Sequence, residues 1–382
     1  MLKISGSVRS GISDPVEKHG CLSTRSSSNK RGQDLHLGTL QLNGKKRVLD
    51  ALTGIIHSTE AFPTGPLVTH YCAQLAGITM QEYTCNPEAM AQSVIAYYNK
   101  FLPDAVWISA DTWVLAEAMG ANVFFPDIDQ PMCGTGLPLF EKPSDINRIP
   151  PPDVSQQGRL QRMIESLKRV KDGIGEEVFI VGCFDQSPFS LACQLMGIEN
   201  IMQSLVLDPE PLKKLMDRCT EYCVVYGTAL AEGGADMLST GDSPAGLIGR
   251  QKYREIALPY EQKVFRTLKE KTDLPLSLHI CGNCTHILED MAESGADILE
   301  IDHLVGLDQA CQKVPPEITL WGNIDPVSVL ELGDPETVLN TIRQTVETIR
   351  GHGRNRFVLS SGCTVTPCTP QENLAILCSY ND

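Results

Sequence analysis

The sequence predicts a single (β/α)₈ TIM barrel with an N-terminal extension. Three observations lead there. Strand-like apolar runs alternate with longer amphipathic segments, about eight such strands occur, and no Gly-rich dinucleotide fingerprint follows any early strand. Strands alternating with helices imply parallel βαβ units. About eight of them in a chain of this length favour a closed barrel over an open doubly wound sheet, and the missing fingerprint argues against an NAD-binding fold.

Residues 1–40 run Ser-, Gly- and charge-rich (GSVRSG, STRSSSNKRGQD) without an apolar period, so they read as a flexible extension, with the folded domain expected over 41–382. The first helix is KKRVLDALTG from Lys45. Val48, Leu49 and Leu52 share a face, and Gly54 is a C-terminal stop. The expected strands are PLVTH (66–70), AVWIS (105–109), EVFIVGC (177–183) and ADMLST (235–240), then LPLSLHIC (274–281), ADILEID (296–302), EITLWGN (317–323) and RFVLSSGC (356–363). Asp208 and Asp334, each before a Pro, mark helix N-termini. The Pro- and Gly-rich stretch 126–160 reads as a loop excursion.

Composition narrows the function classes. The chain has 382 residues, 42% of them hydrophobic, which is ample for one large core. A net charge of -15 argues against nucleic acid as a partner, since phosphate binding wants a basic surface. Charge or Gly interrupts every apolar stretch well short of the roughly 20 residues a membrane span needs. No secretory h-region follows Met1, and the 14 cysteines are irregularly spread, so a reducing cytoplasm is expected rather than a disulfide framework.

The chemistry gathers at strand ends. His279 and Cys281 close LSLHIC two residues apart, on one face of a strand. Cys363 closes FVLSSGC. The C-terminal strand ends of a barrel surround one pocket, so these three borderline or soft ligands can bind one zinc ion with a fourth position open, as in catalytic zinc sites. The other reading of a His-x-Cys pair is a core histidine beside a core cysteine. Candidates for the fourth position are Glu300, Asp302, Cys284, Cys368 or water. Asp111, Asp185, Asp242, Asn323 and Asp325 all follow apolar runs and are candidates for contact with substrate or ligand. For Asp185 and Asp325 helix N-capping is the competing role. Trp107, Trp113, Phe124, Phe125, Phe184, Phe189 and Trp321 are candidates for an aromatic pocket lining, with barrel core as their commoner fate.

Several segments together resemble the uroporphyrinogen decarboxylase superfamily, within it the cobamide-dependent methyltransferase branch. They are SPFSLACQLMGIENIMQSLVLDPEPLKKLMD, EGGADMLSTGDSPAGLIGRQKYREIALPY, LSLHICGNCTHILEDMAESGADILEID, LWGNIDPVSVLELGDPETV and VLSSGCTVTPCTPQENL. The resemblance covers roughly 41–380 and implies a (β/α)₈ barrel. Decarboxylases hold tetrapyrrole propionates with an Arg-rich motif, but FPTGPLVTHYCAQLAG has no Arg, and their Tyr falls on Gln194. Asp111 matches their catalytic Asp. The methyltransferase branch carries zinc on His-x-Cys and a later Cys, which His279, Cys281 and Cys363 match. The resemblance therefore implies a zinc-dependent transfer of methyl between a small donor or acceptor and a corrinoid (cobalamin) presented by a partner protein, since no Asp-x-His-x-x-Gly cobalamin motif occurs here. Asp111 and Asp242 are the expected catalytic residues; Asp185, Asn323 and Asp325 are expected to bind substrate. The aromatic candidates lean toward O-demethylation of a phenyl methyl ether. A homodimer is one option for assembly, and uroporphyrinogen decarboxylase is the alternative activity.

Overall fold

The computed structural model describes residues 43–55, 61–126, 130–133, 139 and 143–380. Seven parallel strands pair in sequence order: β1 (Ala105–Ile108), β2 (Phe179–Gln186), β3 (Met237–Gly241), β4 (Leu276–His279), β5 (Ile298–Glu300), β6 (Thr319–Ile324) and β7 (Phe357–Ser361). Each crossover carries helix, as parallel neighbours require. Residues 63–65 close the ring. Gly65 N donates to Leu359 O (2.9 Å), and Leu359 N donates to Pro63 O (2.8 Å). On the other flank Asp104 N donates to Thr64 O (2.9 Å). The expected barrel is thus observed, and residues 41–382 form one unit.

The closing segment lies upstream of the expected strand at 66–70. Pro66 has no N–H for a ladder, and Val68 N donates back to Pro66 O (2.8 Å), a tight turn that bends the chain off the wall. The apolar run after it therefore leads into a helix that begins at His70. The expected first helix is present as α1 (Gly44–Thr53), stopped by Gly54 at φ 75°. Within 126–160 the described residues hold a two-residue antiparallel ribbon, Val123–Phe124 with Met132–Cys133, and a short 3₁₀ turn, Pro143–Arg148. The extension at 1–40 lies outside the described residues. Among the described residues no helix is long and apolar enough to cross a membrane, and every described cysteine is free.

Alternate residues of each strand point into the barrel, and their chemistry changes along its axis. Ala105, Trp107, Phe179, Val181, Met237, Ile298, Trp321 and Val358 form an apolar plug at the N-terminal end, sealed by Val48 and Ala51 of α1. Gly65 O accepts from Trp321 Nε1 (2.8 Å) and Ser360 Oγ (2.9 Å), which pins the closing segment to the plug. A Cβ on Gly65 would lie 2.4 Å from the Trp321 ring, so only Gly fits. Higher up, the inward positions become Ser109, Asp185, Ser239, Ser277, His279 and Glu300. The plug leaves the C-terminal mouth as the only barrel end where these polar groups meet solvent.

Candidate metal centre

His279, Cys281 and Cys363 come together at that mouth. Their ligand atoms lie within 4.8 Å of one another. His279 Nε2 is 3.0 Å from Cys281 Sγ, and the two sulfurs are 3.9 Å apart. Tetrahedral zinc with Zn–N near 2.0 Å and Zn–S near 2.3 Å calls for separations of about 3.6 and 3.8 Å, so small side-chain shifts suffice. His279 Nδ1 lies 3.0 Å from Glu300 O. Donation to that carbonyl fixes the tautomer that leaves Nε2 free as a ligand, a usual outer support of metal-binding histidine.

The cluster is electrostatically set for a cation. Burial works to lower the His279 pKa, but the neighbouring Cys281 thiolate outweighs it and pushes the imidazole up to about 10. Cys281 is pulled down to about 3, first by its hydrogen bond with Cys363 and then, against burial, by His279. Cys363 is pushed up by the same bond. The ion-free site thus stores negative charge that a divalent cation can take over.

The cluster opens onto a cavity of about 430 Å³ that also meets Trp107, Asp111, Asp185 and Glu300. Glu300 Oε1 accepts from Ser239 Oγ (2.6 Å) and from Ser277 Oγ. Asp111 is buried, pairs with Arg159 Nη1 and accepts from Trp113 N (2.8 Å). Arg159 also donates through Nε to Glu117 (2.5 Å). Asp185 stands at φ 62°, in a region that only Asn, Asp and His visit with any ease among non-Gly residues. Its Oδ1 accepts from Ser109 Oγ (2.6 Å), and Oδ2 has no partner. Burial, offset in part by the Ser109 bond and reinforced by Asp111, pushes its pKa up to about 8.

Other expected site residues lie apart from the cavity lining. Asp242 is fully buried, accepts from Ser190 N (2.8 Å) and Oγ (2.7 Å), and donates its own N–H to His279 O (2.8 Å). It therefore braces the ligand-bearing strand end. Asn323 donates to Val305 O (2.9 Å) and Asp302 O (3.2 Å), and Asp325 caps the next helical turn through Val327 N (2.8 Å) and Ser328 N (2.9 Å). Asp302 accepts from Gly282 N and Leu304 N, both 2.8 Å, tying two mouth loops together. Cys284 is buried and Cys368 exposed, and neither joins the cluster. Of the seven aromatic candidates only Trp107 lines the cavity; Phe184, Phe189 and Trp321 are core, and Phe124 is exposed. Sequence reasoning passed over Arg159, Ser109, Ser239 and Ser277. The serines carried a signal, a polar residue at an inward strand position, but a lone Arg on a helix carried none.

A TIM-type barrel with a His–Cys–Cys cluster at its mouth defines a metal-binding enzyme scaffold. The chain belongs to the uroporphyrinogen decarboxylase (URO-D) family, whose model matches residues 43–381. It is 29% identical over 303 residues to the methylcobamide:CoM methyltransferase MtbA of Methanosarcina acetivorans, covering 79% of this chain and 86% of that protein. It is 26% identical over 305 residues to the uroporphyrinogen decarboxylase of Prochlorococcus marinus, covering 78% and 83%. Among solved structures it resembles a methyltransferase from Methanosarcina mazei, with a TM-score of 0.78 at 26% identity over 88% of this chain and 97% of that one. Its relatives are enzymes, and they include both methyltransferases and decarboxylases.

Proposed function

We propose that the protein is a zinc-dependent methyltransferase that moves a methyl group between a small substrate and the cobalt of a corrinoid presented by a partner protein. One observation carries this reading: the His279–Cys281–Cys363 cluster opens onto the substrate-sized cavity. Zinc bound there would act as a Lewis acid, holding a thiol as its nucleophilic thiolate or drawing charge from the oxygen of a methyl ether or alcohol.

The chain's own residues do the rest. Glu300 O orients His279, and Asp242 N–H and the Asp302 carboxylate fix the backbone on either side of Cys281. None of the protein candidates for a fourth ligand belongs to the cluster: Cys284 and Cys368 lie outside it, Asp302 is tied to loop N–H groups, and Glu300 is held by two serines. The fourth position is therefore assigned to substrate or water. Asp111 and Asp185 remain as polar contacts in the cavity, while Asp242, Asn323 and Asp325 support it from outside.

The decarboxylase alternative fits this cavity poorly. Among the described residues no Lys or Arg lines it, and Arg159 behind it is engaged by Asp111 and Glu117. A substrate with many carboxylates would meet further carboxylates. With a single aromatic in the lining, a phenyl methyl ether also loses its support, so the substrate class stands as a small methyl ether, an alcohol or a thiol.

The test mixes the zinc-loaded protein with a reduced corrinoid protein and, in turn, methyl ethers, methanol and methylated thiols. The visible spectrum of the corrinoid reports its methylation. A substrate-dependent change that disappears in Cys363→Ala supports the proposal. No transfer in either direction across the panel, together with release of carbon dioxide from uroporphyrinogen, overturns it.

A further inference from the structure

The charge of the cavity limits what it accepts, and this inference rests on the methyl-transfer reading above. Asp111, Asp185 and Glu300 meet one space of about 430 Å³, and among the described residues no Lys or Arg side chain meets it. Arg159, the cation nearest these groups, bonds to Asp111 and Glu117. Asp185 differs from the other two carboxylates. Asp111 has its arginine and Glu300 its two serines, but Asp185 has only the Ser109 hydroxyl, and its Oδ2 is buried without a partner. A buried acceptor left unmade costs about 1–3 kcal/mol, and the fold holds this residue at φ 62° to place it there.

Asp185 also stands at a useful distance from the metal centre. It lies on β2 and His279 on β4, with Gly241 of β3 between them; a Cβ on Gly241 would lie 3.3 Å from Asp185 O and 3.7 Å from His279 O. Two inter-strand steps of about 4.8 Å match a metal–sulfur bond of about 2.3 Å, a two-carbon chain and a charge-assisted hydrogen bond of about 2.8 Å.

We infer that Asp185 is a specificity-determining residue, and that the site takes a small substrate whose metal-binding atom carries a short tail ending in an ammonium or hydroxyl donor, rejecting tails that end in an anion. The donor meets Asp185, and an anionic tail would face three carboxylates in a space with little water to screen them.

Three thiols of one length separate the possibilities: 2-aminoethanethiol, 2-mercaptoethanol and 2-mercaptoethanesulfonate. The protein is loaded with cobalt(II) in place of zinc, and thiolate-to-metal charge-transfer absorption reports sulfur binding in titrations without any corrinoid. The expected order of affinity is ammonium, then hydroxyl, then sulfonate, with at least tenfold between the first and the last. In Asp185→Asn the advantage of ammonium over hydroxyl should shrink about tenfold. Because that ratio is compared between two proteins, differences in intrinsic thiol acidity cancel. Sulfonate binding as tightly as ammonium overturns the inference and leaves the metal site standing. An unchanged ratio in Asp185→Asn overturns the assignment to Asp185. If no thiol alters the cobalt spectrum, the open coordination position itself is refuted, and the inference falls with it.

Discussion

Replacing Asp185 by Asn isolates the cost of holding a carboxyl inside the barrel. Asn keeps the shape, accepts the Ser109 hydroxyl and tolerates a left-handed backbone. An aspartate titrates near 3.9 in an unfolded chain, and burial pushes this one up to about 8. Its native form is therefore the neutral one, and its contribution to stability is greatest below about pH 4 and is lost as pH rises through about 8. At about 1.4 kcal/mol per pH unit, the penalty is about 1.5 kcal/mol at pH 5 and about 5 kcal/mol at pH 9. The variant should therefore gain on the parent protein by about 4 kcal/mol between those two pH values. Denaturant midpoints of both proteins, measured at pH 5 and pH 9, give that difference. An equal offset at the two pH values would show that Asp185 is already ionised in the native protein at pH 5, and the argument from its burial would fail.

Other perturbations act on the frame around the site. Arg159→Met leaves the buried Asp111 carboxylate unpaired and should cost about 3–5 kcal/mol in chemical denaturation. Adding Asp111→Asn should restore much of that loss, whereas simple additivity would contradict the pairing. Gly65→Ala drives a methyl group into the Trp321 ring and should cost about 1–3 kcal/mol with a lowered melting temperature. Cys363→Ser should reduce bound zinc well below one equivalent, while Cys284→Ser and Cys368→Ser should leave it unchanged, as metal analysis after dialysis will show.

The barrel was legible because its signal is repetitive. Runs such as EVFIVGC and EITLWGN are too short and too β-branched for helix, and their spacing leaves room for one helix each. The segment 66–70 misled because PLVTH has strand composition, while Pro66 and the turn it starts decide the geometry. The metal cluster was legible in part: period-two alternation put His279 and Cys281 together, and Cys363 joined them through the rule that strand C-termini share one pocket. Distances between strands are set by the closed ring, so the pairing of Asp111 with Arg159, 48 residues later, had no local signature. Asp185 read as a helix cap because it follows a strand and precedes Ser-Pro; its buried position shows only once β1 and β3 flank it. Asn323 and Asp325 read as substrate contacts for the same positional reason, but backbone groups of nearby loops and turns take up their hydrogen bonds.

The central claim is that His279, Cys281 and Cys363 hold one zinc with a position open to substrate. Zinc K-edge absorption spectroscopy on the zinc-loaded protein tests it most directly. The expected shell is one nitrogen near 2.0 Å, two sulfurs near 2.3 Å and one light, exchangeable atom, with a third sulfur replacing that atom when a thiol is added. A shell of oxygens only, or a fourth protein sulfur that no thiol displaces, would contradict the account.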